Sequence, residues 1–267
     1  MTLPRDFYDR PTLEVARDLL GKLLVHRHHG TTTSGVIVEV EAYIGESDPA
    51  CHAAPGRTRR NAPLYGPPGV AYVYLNYGIH QLVNAVTERV DFPAAVLIRA
   101  LEPIDGLSTM RRRRRRPTKG RPAAGAVTIP EEALCRGPGN LTHAMGITLK
   151  DSGVDLTGSK LFVQDLGGAS GDIAWGPRIG IRVGTDRNWR RGFRATRRCP
   201  RPERRAEPRH AEERALLVSV GPQNGGIPAP DMRRAAPAEL GVWQSAEDPT
   251  CADYLTRRTE ASTSIRT

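Results

Sequence analysis

Cysteine is scarce and scattered: Cys51, Cys135, Cys199 and Cys251 are the whole complement, with no C-x-x-C pair among them. That spacing argues against a zinc module, a disulfide framework and a cysteine-ligated iron–sulfur cluster. No apolar stretch is long enough to cross a bilayer. The opening residues, Met-Thr-Leu-Pro-Arg-Asp, have no basic and apolar signal pattern, so a cytoplasmic protein without membrane attachment is expected. A glycine-rich phosphate loop is absent too, and neither a cofactor nor a metal is expected. His26-Arg27-His28-His29 precedes Gly30 and reads as a polar hairpin turn rather than a metal tract.

The chain has 267 residues, 39% of them hydrophobic, enough for one domain with a substantial core plus additional segments. Its formal net charge of +10 points to a polyanionic partner. That charge is unevenly spread. Arg111 to Arg116 is an uninterrupted run, and residues after Trp189 hold fifteen arginines and no lysine. Without the run, residues 1–189 are close to neutral, so a polyanion-binding face has to be local. Six adjacent arginines cannot share one face of a helix or strand, and the run is expected to be a solvated loop. From Trp189 onward the text becomes rich in Arg, Pro and Ala with little periodicity. Two parts are therefore expected: a folded domain over 1–189, and a basic tail over 190–267 that is disordered or the product of a shifted reading frame.

Pro11 to Leu20 reads as an amphipathic helix stopped by Gly21. Strands are expected near 22–27, 35–43, 70–76, 79–86, 94–101, 160–165 and 178–183, short helices at 131–134 and 140–145, and a surface loop over 116–130. Short strands joined by hairpins, with helices at the ends, predict an α+β domain on a curved, mainly antiparallel sheet with a protruding β-hairpin.

Two segments carry candidate chemistry. In Val36-Ile37-Val38-Glu39-Val40-Glu41-Ala42-Tyr43, strand alternation sets Val36, Val38, Val40 and Ala42 on one face and Ile37, Glu39, Glu41 and Tyr43 on the other. Two carboxylates beside an aromatic ring suit a site wall; the same pattern also fits a strand with one solvated face. Further on, Asn76-Tyr77-Gly78 separates two strand-like runs. Asn and Gly tolerate the positive φ of a tight hairpin, which puts Tyr77 at or beside the tip. An exposed ring there either inserts into a partner, as a wedge does in a base stack, or caps its own hairpin.

These residues resemble the alkyladenine (3-methyladenine) DNA glycosylases. The resemblance rests on Val38-Glu39-Val40-Glu41-Ala42-Tyr43, Asp48 and His52, Arg60-Asn61, Pro68-Gly69, Tyr72-Val73-Tyr74 with Tyr77-Gly78, Asn84, Leu97 to Pro103, Leu134 to Gly139, and Pro177 to Ile181. It covers residues 5–189 in order. It implies a monofunctional enzyme of base excision repair, acting as a monomer on double-stranded DNA that contains damaged purines. By the same resemblance Glu41 is the carboxylate that activates water, Arg99 its partner near the sugar-phosphate, and Tyr43, His52 and Tyr74 the base-stacking walls. Asn84 discriminates against the exocyclic amino group of guanine, and Tyr77 is the intercalating wedge. Arg57, Arg60, Asn61, Arg178 and Arg182 are expected at the DNA backbone. No lysine accompanies the set, so no Schiff-base step is expected. The alternative is a catalytically impaired homologue that serves as a lesion- or nucleic-acid-binding protein.

Overall fold

The structure is a computed structural model, and it describes residues 1–116, 129–167 and 171–193. The surface loop expected over 116–130 lies almost entirely outside the described residues, as does the tail beyond residue 193.

Two helices open the chain, α1 (Arg5–Tyr8) and α2 (Thr12–Leu19). α2 follows Pro11, whose fixed φ suits a helix start, and it buries Val15, Ala16 and Leu19. Its first turn is secured from outside: Glu88 accepts the Thr12 amide at 2.8 Å. The strands are β1 (Leu23–His28), β2 (Thr31–Ile44), β3 (Ala71–Asn76), β4 (His80–Val86) and β5 (Ala94–Asp105). Helices α3 (Leu107–Arg115) and α4 (Pro138–Met145) follow, then β6 (Leu161–Gln164), β7 (Ile173–Gly176) and β8 (Arg190–Phe193). Every pairing is antiparallel, in the order β3-β4-β5-β2-β1-β6, and the sheet curves as a half-barrel. β2 is long enough to change partners along one edge. Its first half pairs with β1 and its second half, over Glu39–Glu41, with β8, which in turn pairs with β7.

The α+β reading of the sequence holds, with four corrections. The first concerns strand parity. Between β2 and β5 the register shifts three times, at Ile104, at Val38 and at Arg99, so Val38 of β2 and Ile104 and Arg99 of β5 stand outside the ladder register. A bulge reverses the alternation beyond it. Ile37 therefore joins Val40 and Ala42 in the main core, whereas Val36 and Val38 belong to a smaller cluster with Phe162. Glu39, Glu41 and Tyr43 still share a face.

The second concerns the arginine run, which is largely helical rather than a solvated loop. Arg113 donates to the carbonyls of Ala144 and Met145 at the end of α4, at 3.0 and 2.7 Å, and buried Arg114 donates to those of Ala133 and Leu134. Helix ends leave carbonyls unpaired, and cationic forks satisfy them.

Third, residues 178–183 form no strand. That segment leaves β7 at Pro177, and Arg178 and the Ile179 amide turn inward instead of pairing along a sheet edge, while Arg182 and Val183 are exposed. Fourth, Arg190–Phe193, expected in the tail, is a strand within the sheet, so a boundary at Trp189 would cut it away from β2. The histidine cluster also divides. His29 and Gly30 make the turn with positive φ, but His26 is fully buried and bonded to the Met145 carbonyl at 2.9 Å.

Candidate active site

β2 provides the floor of the site. Glu41 is completely buried. One of its carboxylate oxygens, Oε2, accepts the Tyr43 hydroxyl at 2.9 Å; the other, Oε1, accepts the Ile179 amide at 2.7 Å and lies 3.3 Å from Arg99 Nη1. Burial pushes the Glu41 carboxyl above the usual range, and the Arg99 guanidinium, the Ile179 N–H and the Tyr43 hydroxyl work in the opposite direction. Arg99 reaches this position because it is a bulged residue of β5, which turns its side chain toward the carboxylates; its Nε sits 3.4 Å from Glu39.

The aromatic wall rises from β3 and from the loop after β2. Tyr72 and Tyr74 are two residues apart on β3 and stack at 5.4 Å. His52 meets Tyr74 edge-on at 4.2 Å, and its Nδ1 is 2.9 Å from the Tyr72 hydroxyl. Burial lowers the His52 pKa, with Arg60 adding to the effect, so the ring is neutral near pH 7. Asn84 stands opposite Tyr72 on β4 and donates to its carbonyl at 2.9 Å, which fixes the amide orientation.

The hairpin between β3 and β4 behaves differently. Tyr77 and Gly78 both have positive φ, 49° and 70°, and Ile79 N–H bonds back to the Asn76 carbonyl at 3.0 Å. The loop between the paired residues Asn76 and His80 therefore holds Tyr77, Gly78 and Ile79, its first two in the positive-φ conformation of a tight hairpin turn. Tyrosine is a poor residue for that conformation. Its ring is 80% exposed.

The expected backbone contacts separate into two groups. Arg57, Arg60 and Arg182 are exposed. Arg57 lies beside Asp91, and Arg60 donates to the Leu75 carbonyl near the tip of the hairpin. Arg178 and Asn61 are corrections. The Arg178 side chain is fully buried, bound to both oxygens of Asp48 at 2.5 and 2.8 Å and to the Ala42 carbonyl at 3.1 Å, with its guanidinium over the Tyr43 and Trp189 rings. Burial opposes its charge, but Asp48 more than compensates and raises its pKa. Asn61 is 2% exposed, accepts the Thr58 amide and donates to the carbonyls of His52 and Gly56; it shapes the loop that carries His52.

Sequence reasoning gave no role to Asp48, Ile179 or Tyr72 and left Arg190 in the tail. Asp48 ties the segment 177–189 to the end of β2 and so places the Ile179 amide on Glu41. The signal was present in the quoted motifs, but partners 130 residues apart cannot be matched by spacing alone.

A buried, hydrogen-bonded carboxylate with a guanidinium partner, set beside an aromatic wall and an exposed hairpin ring, has the parts for general-base chemistry next to a surface that can stack on a flat ring. Comparison with known proteins specifies it further. Residues 6–197 match the family model described as methylpurine-DNA glycosylase. The chain is similar to a protein of Methanocella arvoryzae, 50% identical over 192 residues that cover 70% of this chain and 90% of the relative. It is 47% identical over 191 residues to one of Burkholderia lata, covering 70% and 86%. With one of Chlorobium phaeobacteroides the identity is 46% over 191 residues, covering 71% and 90%. Each of the three carries the name "Putative 3-methyladenine DNA glycosylase". The chain belongs to the methylpurine-DNA glycosylase family and is a DNA glycosylase. No helix among the described residues is long and apolar enough to cross a membrane.

Proposed function

We propose that this protein is a monofunctional glycosylase, working as a monomer in the cytoplasm on duplex DNA, that turns alkylated or otherwise damaged purines out of the stack and hydrolyses their N-glycosidic bond. The observation that carries the reading is Glu41, a wholly buried carboxylate bonded to Tyr43 and Ile179 and next to Arg99, on the floor below Tyr74 and His52. A carboxylate offers about four acceptor positions. The two hydrogen bonds and the Arg99 contact leave one acceptor position for a water, which Glu41 orients and deprotonates as positive charge develops on the sugar carbon.

Base choice follows from the rings. A 3-methyladenine or 7-methylguanine base carries positive charge and gains about 0.5–2 kcal/mol against aromatic faces over its unmodified counterpart. Tyr43, His52 and Tyr74 supply those faces, while Asn84, held by the Tyr72 carbonyl, presents a fixed group against the guanine amino substituent. Tyr77 fills the gap left by the extruded base, and Arg57, Arg60 and Arg182 meet phosphates. Arg178 and Asn61 have no part in that contact.

The test is release of free base from duplexes that each carry 3-methyladenine, 7-methylguanine, hypoxanthine or ethenoadenine. Release of at least one, with no strand nicking, is expected. Binding of a lesion duplex without release of any base would overturn the reading in favour of an impaired, binding-only homologue.

A further inference from the structure

The catalytic floor extends past Arg99. Glu41 Oε1 is 3.3 Å from Arg99 Nη1, Arg99 Nε is 3.4 Å from Glu39 Oε1, and Glu39 Oε1 accepts from Arg190 Nη1 at 3.0 Å. Four charges of alternating sign thus run from the centre of the site to β8. Register explains the last link. Arg190 lies opposite Glu41 and Gly192 opposite Glu39, so the Arg190 side chain reaches diagonally across two residues. Its Nε is anchored on the Pro177 carbonyl at 2.9 Å, and Gly176, its pairing partner in β7, leaves it space: a Cβ there would stand 3.3 Å from Nη2.

Consider the same site without Arg190. Glu39 and Glu41, at 2% and 0% exposure, would then divide one guanidinium between them in a water-poor interior. Two carboxylates sharing one cation repel each other, and one of them is driven toward protonation. The other groups facing Glu41 are Tyr43 and Glu39 on β2, Tyr74 on β3, and Arg178 with the Ile179 amide from the segment after β7; Arg178 is committed to Asp48. None of these neutralises Glu39.

We propose that Arg190 is a positioning residue for the glycosylase reaction: by neutralising Glu39 it leaves Arg99 to serve Glu41 and keeps the Glu41 carboxylate ionised. The proposal rests on Glu41 acting as the base. It gives the strand that follows Trp189 a part in the chemistry.

The experiment uses the full chain and the duplex lesion that the wild type excises, with single-turnover base release followed as a function of pH. R190Q should move the acid limb of the profile up by ~0.5–1 unit with lesion-duplex affinity retained, and R190K should bring it back. E39Q should move the limb down, and adding R190Q to E39Q should move it no further. An unmoved limb in R190Q overturns the proposal, as does an equal shift in the E39Q background, since Arg190 would then act independently of Glu39. Should R190Q fail to fold, R190M, which keeps the length of the side chain without its charge, is read in its place: a raised limb supports the relay and an unmoved one overturns it. A wild-type chain that releases no base overturns the functional reading together with the relay; an active wild type with an unresponsive R190Q overturns the relay alone.

Discussion

The floor around Glu41 and the tip at Tyr77 belong to one sheet, yet they solve opposite problems. On the floor the carboxylates are buried and already met, and Arg190 among their partners reaches the surface. Glu41 faces Arg99, Asp48 holds Arg178 and Glu39 holds Arg190, each partner arriving from a distant part of the chain. At the tip a large ring is left in water on a backbone that tyrosine adopts poorly. Buried charges without partners cost several kcal/mol, so the floor has to be complete before substrate arrives. An exposed ring costs little, so on the proposed function the tip can wait for a base stack to complete it. The comparison teaches that folding and chemistry are coupled at the floor, whereas at the tip they are separable.

The sharpest way to break the contrast is Asp48→Asn. Removing one partner of a buried pair costs about 3–5 kcal/mol, and the melting temperature should fall accordingly. Base release should fall with it, because the segment that brings Ile179 to Glu41 loses its tie. A melting curve like that of the wild type would show that the pair does not hold this segment.

Tyr77→Ala should weaken lesion-duplex binding by ~1–3 kcal/mol, the worth of a stacked ring, with the melting temperature unchanged. Tyr77→Asn sharpens the point. Asparagine accepts positive φ, so it should keep or improve hairpin stability while losing the same binding energy. Unchanged affinity in both variants, with a lowered melting temperature, would make Tyr77 a packing residue.

The smallest effect is expected at the exposed arginines. Arg182→Ala should lower the slope of binding against salt by about one unit without altering lesion preference or stability. Its neighbour Arg178, four residues earlier in the same segment, should instead behave like Asp48.

Much of this arrangement was legible in the sequence, and what was not has identifiable causes. Glu41 and Tyr43 share a face because two residues of a strand do so locally, and the Tyr77-Gly78 turn announces itself through its own conformational demands. Ile37 was placed on the wrong face because an unpaired Val38 leaves no mark in a hydrophobic run. Arg178 looked like a phosphate contact because arginine on a loop ordinarily is one, and only the folded chain brings Asp48 beneath it. The run at Arg111 was read by charge alone, although its partners are carbonyls at the end of α4 that no pattern of side chains displays. The strand Arg190–Phe193 has too few apolar residues for its alternation to show; what it supplies to β2 is backbone pairing and one guanidinium.

The central claim is that Glu41 performs the chemistry and does little of the holding. Its carboxyl is raised by burial, so the wild-type rate should fall on the acid side at a higher pH than an ordinary carboxylate would impose, since only the ionised form can take a proton from water. The most direct measurement is single-turnover base release by Glu41→Gln, alongside its affinity for the same lesion duplex. Loss of release by at least ~10²–10⁴-fold, with affinity near that of the wild type, is the predicted result; near-normal release from Glu41→Gln would contradict the account.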